Sequence, residues 1–208
     1  MITAGNIITL SLIIFVASVV RGFTGFGLAL VAVPLIQFII PVTDTAVFIA
    51  IINLIFSLLY YRRSRELVRE QPLGRMALFT GIGVAAGTLV LKYLNPAYIQ
   101  LGWGLLIIII VLALARGFSF RISSDASAMT LSGLLGGLLA GATGITGPPV
   151  AVILSSMKTP KEKFNAVISV FILFAVSYAL LFYLVSGLIR PESAMLALCS
   201  VPALIAGL

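Results

Sequence analysis

A glycine-rich pattern occurs twice in this chain, both times in apolar surroundings, and the two copies align without a gap. Arg21-Gly22-Phe23-Thr24-Gly25-Phe26-Gly27 runs into Val31-Ala32-Val33-Pro34-Leu35, and Gly141-Ala142-Thr143-Gly144-Ile145-Thr146-Gly147 runs into Val150-Ala151-Val152-Ile153-Leu154. Gly22 recurs as Gly141, an offset of 119 residues, and the same offset carries Thr24 to Thr143, Gly25 to Gly144 and Pro41 to Pro160. A helix-interrupting pattern at corresponding places in two apolar halves is the best sequence pointer to a substrate site in a transport protein.

Composition decides the class. Hydrophobic residues make up 61% of the 208 and charged residues only 9%, against roughly 45–50% apolar in soluble domains. The expectation is an all-α membrane protein forming one membrane domain, with residues 1–120 as the first transmembrane repeat and 121–208 as the second. A net charge of +7 would suit a nucleic-acid binder only with a basic face on a soluble fold. Here the basic residues sit in short connections between apolar runs, so no nucleic-acid partner is expected. A lone Cys199 excludes an intramolecular disulfide, and with no His a transition-metal site is disfavoured. No cofactor is expected. Met1 to Asn6 carry no Lys or Arg, so the start does not read as a signal peptide with a basic n-region.

Apolar runs cover 7–40, 46–61, 73–91, 97–115, 128–157, 164–189 and 193–208. A crossing helix needs roughly 20 residues, so 7–40 and 128–157 are too long for one crossing. Each holds the glycine motif near its middle, and each reads as a helical hairpin or broken helix with the motif at its tip. Thr159-Pro160-Lys161-Glu162 reads as N-cap, first-turn proline and third-position Glu. Thr43 or Asp44 is the corresponding cap in the first half.

Counting Lys and Arg sets the orientation. The connection 62–75 holds five Arg, 116–126 two, and 158–163 three Lys, whereas 41–45, 92–96 and 190–192 together hold Lys92 and Arg190. The first three connections are predicted cytoplasmic. The first motif segment then ends outside at Pro41 and the second inside at Lys158, which makes the halves inverted-topology repeats. Two glycine-rich tips entering from opposite faces would meet near the bilayer centre. Carried forward, the offset repeats 97–115 at 216–234, past Leu208; the expectation is a truncated or missing last helix.

Irregular backbone survives at membrane depth only where protein covers it or a watery cavity bathes it. Glycines allow sharp turns and close approach to a ligand. A helix restarting after such a turn offers N–H groups, here from Phe26 to Leu28 and Ile145 to Gly147, that favour an anion. The substrate-binding candidates are Arg21, Gly22, Thr24, Gly25, Phe26 and Gly27 from the first copy, and Gly141, Thr143, Gly144, Thr146, Gly147 and Pro148 from the second. Asn53 is added because it shares a helix face with Ser57 at i, i+4, as a cavity wall requires. Each has a plainer reading. Arg21 could be a cytoplasmic anchor, and Asn53 and Ser57 could hydrogen-bond between helices. Gly81, Gly83, Gly87, Gly133, Gly136 and Gly137 read as helix-packing surfaces, and the phenylalanines as packing or lipid-facing side chains. For the motif glycines the ligand reading is preferred, because packing does not require Gly-Xaa-Thr-Gly twice at one offset.

No carboxylate falls inside a span: Asp44, Glu66, Glu70, Asp125, Glu162 and Glu192 lie in connections or at span edges. Cation transport is therefore disfavoured. Without His or a buried acid no catalytic constellation can be assembled, so an enzyme is not expected.

The two motifs, with Val33-Pro34-Leu35 after the first and Pro148-Pro149 after the second, resemble the paired signatures of the TauE/SafE sulfite exporter family of small-anion membrane permeases. The resemblance extends over nearly the whole chain, through the spacing of the halves and the basic loop after the second span. It implies a multi-pass protein of the cell inner membrane that carries sulfite, thiosulfate, sulfonates such as sulfoacetate, or related organic acids. The alternatives are an anion channel with the same tips as its filter, or a non-transporting membrane assembly partner. Expected partners are a small anionic substrate, the lipid bilayer and, as an allowed option, further copies of the chain as a homo-oligomer.

Overall fold

A computed structural model describes residues 4–24, 27–68, 73–116, 125–155 and 160–207. Among them the chain is helical and contains no strand. The first half comprises α1 (Ala4–Thr24), the short α2 (Leu28–Ile36), α3 (Val42–Leu67), α4 (Leu73–Tyr93) and α5 (Pro96–Ala115). The second comprises α6 (Asp125–Thr143), the short α7 (Pro148–Ser155), α8 (Lys161–Val185), α9 (Pro191–Cys199) and α10 (Val201–Ala206). The 119-residue offset reappears in these bounds: Thr24 and Thr143 end α1 and α6, Ile36 and Ser155 end α2 and α7, and Val42 and Lys161 start α3 and α8.

Among the described residues, five helices are long and apolar enough to cross a membrane: Gly5–Thr24, Val42–Leu59, Leu73–Tyr93, Ala126–Thr143 and Glu162–Val185. α1, with 21 residues, extends about 31 Å at 1.5 Å per residue, close to the ~30 Å of hydrocarbon. The run expected at 193–208 is interrupted. α9 gives way at Ser200 to α10, because Pro202 has no N–H to continue the ladder.

The interior is built on two long pairings, α4 with α6 and α3 with α8. α4 and α6 run parallel and approach at backbone distance. A Cβ on Gly133 would stand 2.6 Å from the Met76 carbonyl oxygen, and one on Gly137 2.5 Å from that of Thr80. Gly83, Gly87 and Gly141 continue the seam against Leu134, Leu138 and Val84. Small residues at four-residue spacing allow this, since lipid supplies no hydrophobic drive between helices and packing must hold them. Thr80 and Thr88 can be buried along α4 because their hydroxyls donate to the Met76 and Val84 carbonyls one turn back.

α3 and α8 run antiparallel, the start of α3 lying beside the turn that follows α8. There Ser193 Oγ donates to Asp44 Oδ1 at 2.7 Å, and Arg190 Nη1 lies 3.4 Å from Oδ2. This use of Asp44 differs from the expected cap: Pro41 occupies the N-cap position of α3, with no side-chain cap. Pro160 does the same for α8, Thr159 lying outside the described residues. Of the three basic connections, 69–72, 117–124 and 156–159 also lie outside them.

Candidate functional site

Arg21 sits in the last turn of α1 and is only 2% exposed. Its Nη1 donates to Asn53 Oδ1, and its guanidinium carbon lies 3.6 Å from the centroid of the Phe56 ring. A ring stacked on one face uses no N–H, because guanidinium donors point outward in the plane; the contact still contributes about 0.5–2 kcal/mol. Asn53, Phe56 and Ser57 occupy one face of α3 at i, i+3 and i+4, and Asn53 and Ser57 are each 1% exposed.

The second motif lies against the same face of α3, nearer its start. Gly144, between α6 and α7, adopts φ +79°, where a side chain would be strained. A Cβ there would also stand 3.2 Å from the Ala46 carbonyl oxygen and from Ile49. Ala46, Ile49, Asn53 and Phe56 form one stripe, and the rise from Ala46 to Asn53 is about 10 Å at 1.5 Å per residue. The second turn and the Arg21 side chain therefore reach one helix at two depths.

Hydrogen bonds define the second turn. Gly144 N donates to the Ala140 carbonyl at 2.8 Å. Thr143 Oγ1 donates to the Leu139 carbonyl at 2.8 Å and accepts from Ile145 N at 3.4 Å. Tyr183 of α8, fully buried, points its hydroxyl at the Ala140 and Gly141 carbonyls at 3.0 and 2.9 Å. The carbonyls closing α6 are thus bound by a side chain from another helix, as a buried helix end requires. Pro148 and Pro149 contribute no N–H, and Ile145 N–H turns to Thr143, so of the expected donors Thr146 and Gly147 remain, joined by Val150 N–H in the first turn of α7, whose ladder opens with Ala151 N to the Gly147 carbonyl.

The expected residues fall into three groups. Arg21 and Asn53 are brought together. Gly141, Thr143, Gly144, Thr146, Gly147 and Pro148 are buried together at the second turn. Gly22 and Thr24 are exposed, as is Phe23 at 84%, while Gly27 takes φ +110° at the N-cap of α2; Gly25 and Phe26 lie outside the described residues. Thr24 and Thr143 both send their hydroxyl protons to carbonyls four residues back, Val20 and Leu139. As folded they present lone pairs rather than the expected donors. The small size of Gly141 is accounted for by contact with α4.

Three contributors escaped the sequence reading. Phe56 was grouped with the packing phenylalanines, although its i+3 spacing from Asn53 was visible. Tyr183 is one of several hydroxyls in the 164–189 run, with Ser169, Ser177, Tyr178 and Ser186, and nothing in the local sequence singles it out. Ser193 meets Asp44 across 149 residues, a pairing no local pattern carries. A cavity of about 540 Å³ adjoins the second turn: Ile145 lines it with Val33 and Pro34 of α2, Gln37 just after it, and Gln100 and Ile108 of α5.

A family model described as sulfite exporter TauE/SafE matches residues 10–208. No curated protein and no solved structure matches the chain. The match covers both glycine motifs, Arg21 and all the described helices except the first residues of α1, and on this basis the chain belongs to the TauE/SafE sulfite exporter family.

Proposed function

We propose that the protein is a secondary membrane carrier for a small anion, with sulfite, thiosulfate or a sulfonate such as sulfoacetate as the leading substrates, bound between the two glycine-rich turns. The observation that carries this reading is Arg21, a guanidinium 2% exposed inside a segment able to span the membrane. A charge buried within such a segment is costly and marks a substrate path by default. A guanidinium matches the planar or tetrahedral oxygens of such anions. The mouth of α7, with the positive end of its dipole, supports the same sign of ligand. In this reading Asn53 orients Arg21, and Thr146 and Gly147 contribute backbone donors.

The reading includes inverted repeats in the cell inner membrane with connections 62–75, 116–126 and 158–163 on the cytoplasmic side. The antiparallel course of α3 and α8, equivalent by the offset, supports the inversion. The parallel course of α4 and α6, which each follow a basic connection, supports putting those connections on one face.

The test is flux of radiolabelled sulfite and sulfoacetate into proteoliposomes. Saturable flux with counterflow is expected, lost in Arg21→Ala. Flux untouched by Arg21→Ala overturns the site; single-channel currents assign a channel instead, and no flux with a copurifying subunit assigns an assembly partner. Cysteines at Asp44 and Lys161 in a Cys199→Ser background should label from opposite sides, and labelling from one side overturns the inversion.

A further inference from the structure

Buried hydroxyls in these helices follow one habit. Ser18, Thr80, Thr88, Thr143 and Ser200 each donate to the carbonyl four residues back, the usual refuge for a hydroxyl that water cannot reach. Ser57 departs from it. Its Oγ is buried and makes no hydrogen bond, although the Asn53 carbonyl lies one turn back on α3. Ser193 finds Asp44 instead, and Ser132 of α6 is the other buried hydroxyl without a hydrogen bond among the described residues, but it lies one turn from Gly136, whose neighbours are the apolar Phe171 and Val150.

Ser57 keeps different company. Asn53, one turn away, gives its Oδ1 to Arg21. A guanidinium has donors only, so the amide oxygen must face it and the NH2 must be the remaining end. That Nδ2 also makes no hydrogen bond and is buried. Two unmet donors thus stand one turn apart on one face of α3, beside a buried cation. Leaving a buried donor unmet costs about 1–3 kcal/mol each, and hydrocarbon offers no acceptor. The amide can only donate at this end, as Arg21 does, and the hydroxyl can donate as well, so an acceptor with more than one atom to offer would satisfy both.

We infer that Asn53 Nδ2 and Ser57 Oγ form a second donor row of the anion site, contacting separate oxygens of a ligand whose charge is held by Arg21, and that Ser57 determines specificity for a many-oxygen anion over a spherical one. The inference rests on the carrier reading above. A halide has one atom to share among the cation and both donors, whereas sulfite or a sulfonate presents three oxygens and can give each donor its own.

The experiment compares the full chain with Ser57→Ala and Ser57→Thr in proteoliposomes, reading the KM for sulfite and the inhibition constant of chloride. Ser57→Ala should raise the sulfite KM about 10-fold, the effect of one hydrogen bond to a charged ligand. It should leave chloride inhibition unchanged and melt no lower than the parent, since an unmet donor has been removed. Ser57→Thr should restore the KM. A sulfite KM unmoved by Ser57→Ala overturns the inference alone and assigns the hydroxyl to a structural role. Equal losses for sulfite and chloride overturn it as well, because the effect then lies in Arg21 or the fold. A parent protein that moves no sulfite overturns the carrier reading and this subsite together.

Discussion

Gly22 and Gly141 hold the same place in the two copies of the motif, yet their surroundings have little in common. A Cβ on Gly22 would meet nothing within 4 Å, whereas one on Gly141 would run into the Val84 carbonyl and approach Thr88 N at 2.9 Å. The contrast extends to their neighbours. The first copy follows a buried Arg21 held by Asn53 and Phe56; the offset puts Ala140, Ile172 and Ala175 at those three positions. The second copy has no charge, but it is buried throughout and tied down by Tyr183. Matching motifs thus stand in unlike surroundings: the first follows a buried charge, the second is packed against neighbouring helices.

The most forceful way to break this contrast is to give both glycines the same methyl group. Gly141→Ala should destabilise the protein by about 3 kcal/mol, the upper range for overpacking, read as a lowered melting temperature in detergent. Gly22→Ala, inside α1 with open space around it, should be neutral or stabilise by up to about 1 kcal/mol. Equal effects would show that the two turns are alike after all. Next in size, Arg21→Ala should reduce sulfite flux about 10- to 100-fold, the worth of charge-assisted hydrogen bonds, while Arg21→Lys should recover only part of it because the fork geometry is lost.

Tyr183→Phe addresses the other half by deleting only a hydroxyl. It leaves the Gly141 carbonyl without this partner and should cost about 2 kcal/mol, with an elevated KM if the rigid turn shapes the site. The smallest effect belongs to Asp44→Asn, which weakens the link from α3 to α9. Because Arg190 is 65% exposed, the ion pair contributes at most about 1 kcal/mol, and the difference from the parent should shrink further in high salt.

The helical class, the apolar spans and the register of the halves were legible because each rests on a local quantity: hydropathy over 20 residues, proline and glycine punctuation, and a fixed offset. Arg21 and Asn53 were both singled out, one as a charge in an apolar run and the other as an amide on a cavity-facing stripe. Their contact, across 32 residues, depends on how α1 meets α3, and no periodicity encodes that. The same reason hid Tyr183 and the Asp44 cluster. The role of Gly141 was missed for an instructive cause: motif membership outweighed its spacing of four from Gly137 and eight from Gly133, which placed it on the packing stripe as well. The threonines show a further limit. Sequence can supply a hydroxyl at the right level, but only the folded turn decides whether its proton faces the ligand or its own helix.

The seam between α4 and α6 has a consequence for how the chain is made. α4 is synthesised with Gly83 and Gly87 on its surface, and the helix whose backbone meets them, carrying Gly133 to Gly141, arrives some fifty residues later. This backbone-distance contact forms only once α6 stands beside α4, so that part of the interior is completed late, by a helix slotting against one already made.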